Sequence, residues 1–200
     1  MSPCFIINVR NERVVLIVQV LKDELRHKIL LESEHLFLQR GYDRTSLQMI
    51  ADKVNISKSN LYHYFKNKEE LFYELTDSAA DGLKRMILRF RSMRFDLNMD
   101  AQEFRMLLTE EVLSLLLAEK YGLLLIMEQA NGTRYENLRP VMIELIASKI
   151  VPMLADEENS PMMAQIMARN LVDGTVHILK NRVRPSEGRA GLNQLITYHT

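Results

Sequence analysis

The chain has no tryptophan and a single cysteine, Cys4. A lone thiol forms no internal disulfide and no cysteine-based metal cluster, and it fits a reducing, cytoplasmic setting. Glycine and proline are scarce, seven and five in 200 residues. An all-β fold, with a turn about every ten residues, is not expected from so few turn formers. No Gly-x-Gly-x-x-Gly, Gly-x-x-x-x-Gly-Lys, Gly-x-Ser-x-Gly or His-Glu-x-x-His occurs. The sequence signals of dinucleotide, P-loop, esterase and zinc-protease chemistry are therefore missing, and the chain is not read as an enzyme. The apolar run Val14 to Leu21 falls well short of the roughly 20 residues that cross a membrane. Charged Lys22-Asp23-Glu24 follows it without a small-x-small cleavage site, so a secretory signal is not expected. Residues 1–21 stay open between two readings. Either the next helix extends backward through Val14, Val18, Leu21, Leu25 and Ile29, or the segment lies upstream of the native start.

What is present is the composition of a globular protein, 47 % apolar and 26 % charged, with a net charge of zero. That zero hides an asymmetry. Between Arg40 and Lys68 stand six basic residues (Arg40, Arg44, Lys53, Lys58, Lys66, Lys68) against two acids (Asp43, Asp52). The remainder beyond Lys68 is net acidic. A polyanion responds to local sign, although an ordinary solvated surface gives the same count.

The basic block is punctuated like three short helices. Leu25, Ile29, Leu36 and Phe37 fall on one helical stripe over Lys22 to Gln39, and Gly41 suits the left-handed residue that ends it. Thr45-x-x-Gln48 reads as a capping box opening a helix from Ser46 to Lys53. Asn55 sits in the next turn, where Asn is the least costly substitute for Gly at positive φ. Ser57 caps a third helix, Lys58 to Phe65, and Asn67-x-x-Glu70 opens a fourth. Two helices joined by such a turn form a helix-turn-helix unit. In the third helix Leu61 and Phe65 turn to the core, leaving Lys58, Ser59, Asn60, Tyr62, His63 and Tyr64 for other work. Short polar residues at such an N-terminus reach base edges in the major groove, while Tyr, His and Lys bond phosphates. The competing reading has the tyrosines merely covering the core edge.

From Ile29 to Leu71 the chain resembles the N-terminal domain of the tetracycline-repressor (TetR) family of bacterial transcription regulators. The likeness runs through Leu36-Phe37, Gly41-Tyr42, Thr45-Ser46, Ile50-Ala51 and Ser57 to the run Leu61-Tyr62-His63-Tyr64-Phe65-Lys66-Asn67-Lys68-Glu69-Glu70-Leu71. Asn55 and Asn60 stand where Gly and Thr are common, and Ser33 where Ala is usual. The departure at Asn60 bears on which base is read. The resemblance implies base-proximal roles for Lys58, Ser59 and Asn60. It implies phosphate or thymine-methyl contacts for Tyr62, His63 and Tyr64, and phosphate contacts for Thr45, Ser46, Lys66 and Lys68.

The expected fold is all-α: a three-helix helix-turn-helix domain over 22–75, then a helical ligand-binding and dimerisation domain over 76–200. Asp100 to Ala118 is apolar nearly all round, which predicts the buried centre of a bundle. Further helices are read over Leu123–Gln129, Pro140–Leu154 with a break near Pro152, Ser160–Asn181, and from Pro185 to the end. Methionine, flexible and polarizable, lines adaptable pockets but more often fills plain core. By the resemblance this domain holds a small-molecule inducer, for which Met86, Phe104, Leu108, Met127, Glu128, Met142, Met163 and Met167 are candidate contacts. Met163, Met167, Leu171, Gly174 and Ile178 form one stripe, and Leu192, Leu195 and Ile196 another. The family pairs such helices in a four-helix dimer seam. Gly174 costs roughly 1 kcal/mol inside a helix, so a close approach is expected there.

Glu32-x-x-His35 is half of a di-iron motif without its second copy, so no metal and no cofactor is expected. The sequence reads as a homodimeric regulator of double-stranded DNA with a palindromic operator, a repressor released by a small molecule, with no membrane partner. The alternative is a helical ligand-binding or metal-dependent bundle that does not bind DNA.

Overall fold

A computed structural model describes residues 9–92, 101–154, 159–181 and 185–197. Among them all regular structure is helical: α1 (Val9–Arg40), α2 (Leu47–Val54), α3 (Lys58–Tyr62), α4 (Lys68–Ser92), α5 (Ala101–Ala118), α6 (Lys120–Gln129), α7 (Leu138–Ile150), α8 (Ser160–Lys180) and α9 (Pro185–Thr197). The side chains of Phe104 and Leu108 lie outside the described residues, as do Asp100 and the last three positions.

α1 runs back to Val9 and absorbs the apolar run as helix. It stops at Gly41, whose φ of +86° needs no Cβ and whose N–H donates to the Phe37 carbonyl at 2.8 Å. Asn55 takes φ 65°, ψ 47°, and its N–H closes the end of α2 on the Ala51 and Asp52 carbonyls. Ala51 is fully buried, and α2, which carries it, packs on both α1 and α3. Phe37, Tyr42 and Phe72 pack ring against ring, with centroids 5.0 to 5.9 Å apart, and join α1 to α4.

Three expectations change. The α2 cap is Ser46, whose hydroxyl accepts from Met49 N–H, because Thr45 is buried and donates its hydroxyl to the Gly41 carbonyl at 2.8 Å. Gln48 then bonds Asp52 rather than closing a box. The bundle centre is α6, not α5: every residue from Gly122 to Met127 is buried, and α6 packs on α1, α4, α5, α7 and α8. α5 leaves Leu117 54 % exposed and pairs chiefly with α9. At the break expected near Pro152 there is no change: α7 ends at Ile150, and Pro152 sits in a 3-10 turn, Val151–Met153. The boundary expected near residue 75 falls inside α4, which both halves share.

Candidate nucleic-acid interface

The reading unit is held from below. Leu61 and Phe65 are buried to within 1 % while Tyr62 stays 48 % exposed. Ser57 caps α3 by accepting from Asn60 N–H at 3.1 Å. α3 is shorter than expected. After Tyr62 the chain tightens, with His63 N–H on the Asn60 carbonyl and Tyr64 N–H on that of Leu61, so that Phe65 drops into the core. Arg26 of α1 lies 5.1 Å from the Phe65 ring and bonds Glu74 of α4 at 2.5 Å, pinning that end of the unit. Lys28 donates to the Val54 carbonyl at 3.4 Å.

Lys58, Ser59 and Tyr62 of α3 and His63 just beyond it are exposed, with Asn60 and Tyr64 half-buried. The Lys58 ammonium lies 6.0 Å from the Tyr62 ring centre. Ser46 and Lys66 are exposed. Lys66 N–H donates to Glu70 at 2.6 Å while Asn67 accepts from Glu70 N–H at 2.7 Å, a capping box that starts α4.

Two expected phosphate holders point elsewhere. Thr45 spends its hydroxyl on the Leu36 and Gly41 carbonyls, and its N–H faces the Tyr42 carbonyl. Lys68 is half-buried, donates to the Tyr42 carbonyl at 2.7 Å and lies 4.0 Å over the Tyr42 ring. Burial lowers the Lys68 pKa, with Asp43 and Glu69 opposing the shift. Burial, aided by Glu69, pushes the Tyr42 phenol up to about 12.

The second half of the chain contains an apolar cavity of about 120 Å³ between α4, α5, α6, α7, α8 and α9. Met86, Met127 and Met142 line it. Met163 and Met167 do not. Glu128 pairs with Lys180 at 2.6 Å. Leu171, Leu192 and Ile196, expected at a dimer seam, are buried and line this cavity. Gly174 meets a close neighbour, but it is Leu195 of the same chain, whose methyls lie 2.7 Å from where a Cβ would stand. Ile178 is partly buried against the same core. Met162, Met163 and Ile166 of α8 are exposed.

Sequence reasoning missed the junction between the halves. Tyr42 N–H faces the Gln129 carbonyl at 3.3 Å, and Asn131 donates to Asp43 at 3.1 Å. Arg134 stacks 3.8 Å from the Tyr73 ring and bonds Asp77 at 2.5 Å. Gly132, at φ +75° after Asn131, was the one local signal of a tight approach. Glu32 and His35 come no closer than 3.9 Å, and no group of metal-binding side chains occurs among the described residues. No described helix is long and apolar enough to cross a membrane.

The sequence pattern of the bacterial regulatory proteins of the tetR family matches residues 29–75. The biofilm operon icaADBC HTH-type negative transcriptional regulator IcaR of Staphylococcus epidermidis is 34 % identical over 65 residues, 32 % of this chain and 35 % of that protein. The HTH-type transcriptional activator FasR of Mycolicibacterium smegmatis is 34 % identical over 62 residues, 31 % of this chain and 28 % of that protein. The chain thus matches about a third of the length of these curated relatives. A TetR family transcriptional regulator from Chloroflexus aurantiacus shares the fold, with a TM-score of 0.59 and 15 % identity over 88 % of this chain and 92 % of that one. Residues 29–75 are therefore the N-terminal helix-turn-helix domain of the tetR family of bacterial regulatory proteins, carried on that family's all-helical fold.

Proposed function

We propose that the protein is a homodimeric transcriptional regulator that binds a palindromic operator and, as a repressor, leaves it when a small molecule enters the cavity. The observation that carries this is α3: its apolar residues are buried while Lys58, Ser59, Tyr62 and His63 face outward beside a locally basic surface. Lys58, Ser59 and Asn60 sit in its first turn and read bases. Tyr62, His63, Tyr64, Ser46 and Lys66 hold the backbone, and Lys68 and Thr45 shape the unit from inside. Two copies place two such helices about 34 Å apart, or a multiple of that, on one face of DNA. The exposed Met162, Met163 and Ile166 of α8 supply an apolar surface for that pairing.

Release follows from one short helix. Met127 of α6 lines the cavity, and two residues on, Gln129 faces the backbone of the α1–α2 turn. A ligand that prefers a displaced α6 shifts the population away from the spacing that fits two half-sites.

Binding to the DNA upstream of the protein's own gene, titrated against salt, tests the DNA reading. The affinity should fall with a log–log slope near −0.9 per phosphate contacted. A flat slope, or no binding to any duplex, would leave a ligand-binding bundle without DNA function. Light scattering at the same concentrations should give twice the chain mass. A reporter gene separates the repressor from an activator, the role that FasR's name records for that relative.

A further inference from the structure

The cavity's lining states what chemistry it accepts. Its walls are methionine, leucine, isoleucine and valine with one phenylalanine, apart from Thr175 and Lys149. The Thr175 hydroxyl donates to the Leu171 carbonyl at 2.8 Å, so its proton is already spent within α8. A ligand with polar groups along its length would leave them unpaired against these walls, which is costly. The part that enters must therefore be hydrocarbon. Lys149 differs from everything around it. It belongs to the last turn of α7, lines the cavity and remains partly exposed. A lysine so placed lays its methylene stem along apolar surface and keeps its ammonium toward water. Lys149 already has an interaction of its own, but an ammonium carries three N–H donors and can donate to a further anion.

We infer that the cavity takes a lipophilic anion, an aliphatic chain ending in a carboxylate, with the chain among Met86, Met127 and Met142 and the carboxylate accepting from Lys149. This rests on the reading of the cavity as the effector site. Size limits the chain. A 150 Å³ apolar cavity holds a six-carbon ring, so about 120 Å³ suits roughly five carbons as it stands. The three methionines can swing to admit more, since their thioether side chains repack at little cost. An alkylamine of the same length fills the same space but sets like charge against Lys149.

The test is direct binding to the full-length protein by calorimetry, with octanoate, octan-1-ol and octylamine as probes. Octanoate should bind about tenfold more tightly than octan-1-ol, the scale of one charge-assisted hydrogen bond at a partly exposed site. Octylamine should bind more weakly than either. Lys149→Met keeps the apolar stem and removes the charge, so it should erase the preference for octanoate while leaving octan-1-ol within about twofold. Val176→Phe fills the cavity and should abolish binding of all three, with circular dichroism checking that it is folded. Equal binding of acid and alcohol, a preference for the amine, an unaltered Lys149→Met profile, or full octanoate binding by folded Val176→Phe would each overturn the inference. A parallel DNA-binding assay with octanoate keeps the two readings apart. Octanoate bound with the predicted selectivity but without effect on DNA would sustain the ligand class and refute ligand-driven release.

Discussion

Asn55 holds its backbone at φ 65° between α2 and α3, where an L-residue with a Cβ is strained. Asn55→Gly should leave stability within a few tenths of a kcal/mol, whereas Asn55→Ala should cost about 1 kcal/mol by urea unfolding. A more stable alanine variant would mean the turn relaxes at no cost. The two lysines at the start of α4 separate by what they touch. Lys66 is exposed, and Lys66→Ala should lower the salt slope of DNA binding by about 0.9 while leaving the melting temperature alone. Lys68 is tied to the Tyr42 carbonyl and ring. Lys68→Ala should leave the slope unchanged and cost about 1–2 kcal/mol, the range for a partly buried charged hydrogen bond. The reverse pattern would make Lys68 the phosphate holder. Gly41, Asn55, Ser57 and Asn67 were legible because a cap or a positive φ is decided within four residues of chain. Thr45 and Lys68 were not. Whether a hydroxyl or an ammonium turns in or out depends on which helix lies beside it, and nothing in the local spacing states that.

At the scale of the helix, spacing tells which residues share a face but not what covers the face. The stripe through Leu171, Gly174 and Ile178 is real, and a close approach at Gly174 exists. Its close neighbour at Gly174 is Leu195 of α9 in the same chain. The same ambiguity made leucine-rich α5 look central, although α6, only ten residues long, is the helix enclosed by five others. The reason lies in Gly122. A Cβ there would stand 2.8 Å from the Ala79 Cβ and 2.9 Å from the Leu75 carbonyl oxygen, so α6 crosses α4 almost backbone to backbone. Alanine improves helix propensity by about 1 kcal/mol, yet Leu75 O is main chain and cannot step aside. Gly122→Ala should therefore lose about 1–3 kcal/mol net, by overpacking. It should also weaken DNA binding beyond the unfolded fraction, because α4 carries Leu71 and Phe72 of the reading unit's core. A gain in melting temperature would show that the crossing is looser than its geometry.

Across the whole molecule the reading unit and the cavity are joined through α4, which is continuous, through α1 packed on α6, and through the α6–α7 turn resting on the α1–α2 turn. At this last joint two glycines face the opposing segment of chain. A Cβ on Gly41 would lie 2.9 Å from Gln129 Oε1, and one on Gly132 would lie 2.8 Å from Asp43 Oδ1. Both have positive φ, +86° and +75°. Each glycine is thus required locally by its turn, and a Cβ there would also push aside the side chain across the joint. Asn131 on Asp43 and Arg134 on Asp77 then clip the turn at its two ends. Gly132→Ala strains the turn by roughly 1–2 kcal/mol and presses the new methyl on Asp43. If the joint supports the reading unit, amide hydrogen exchange in α2 should accelerate in this variant while exchange in α8 stays as it was. The reason is that exchange follows the local cost of opening rather than the global stability alone. Equal acceleration in α2 and α8 would mean only a general loss of stability. No change in α2 would mean that α4 and the α1–α6 packing carry the coupling, and that a ligand beside Met127 reaches the DNA-binding face by those routes.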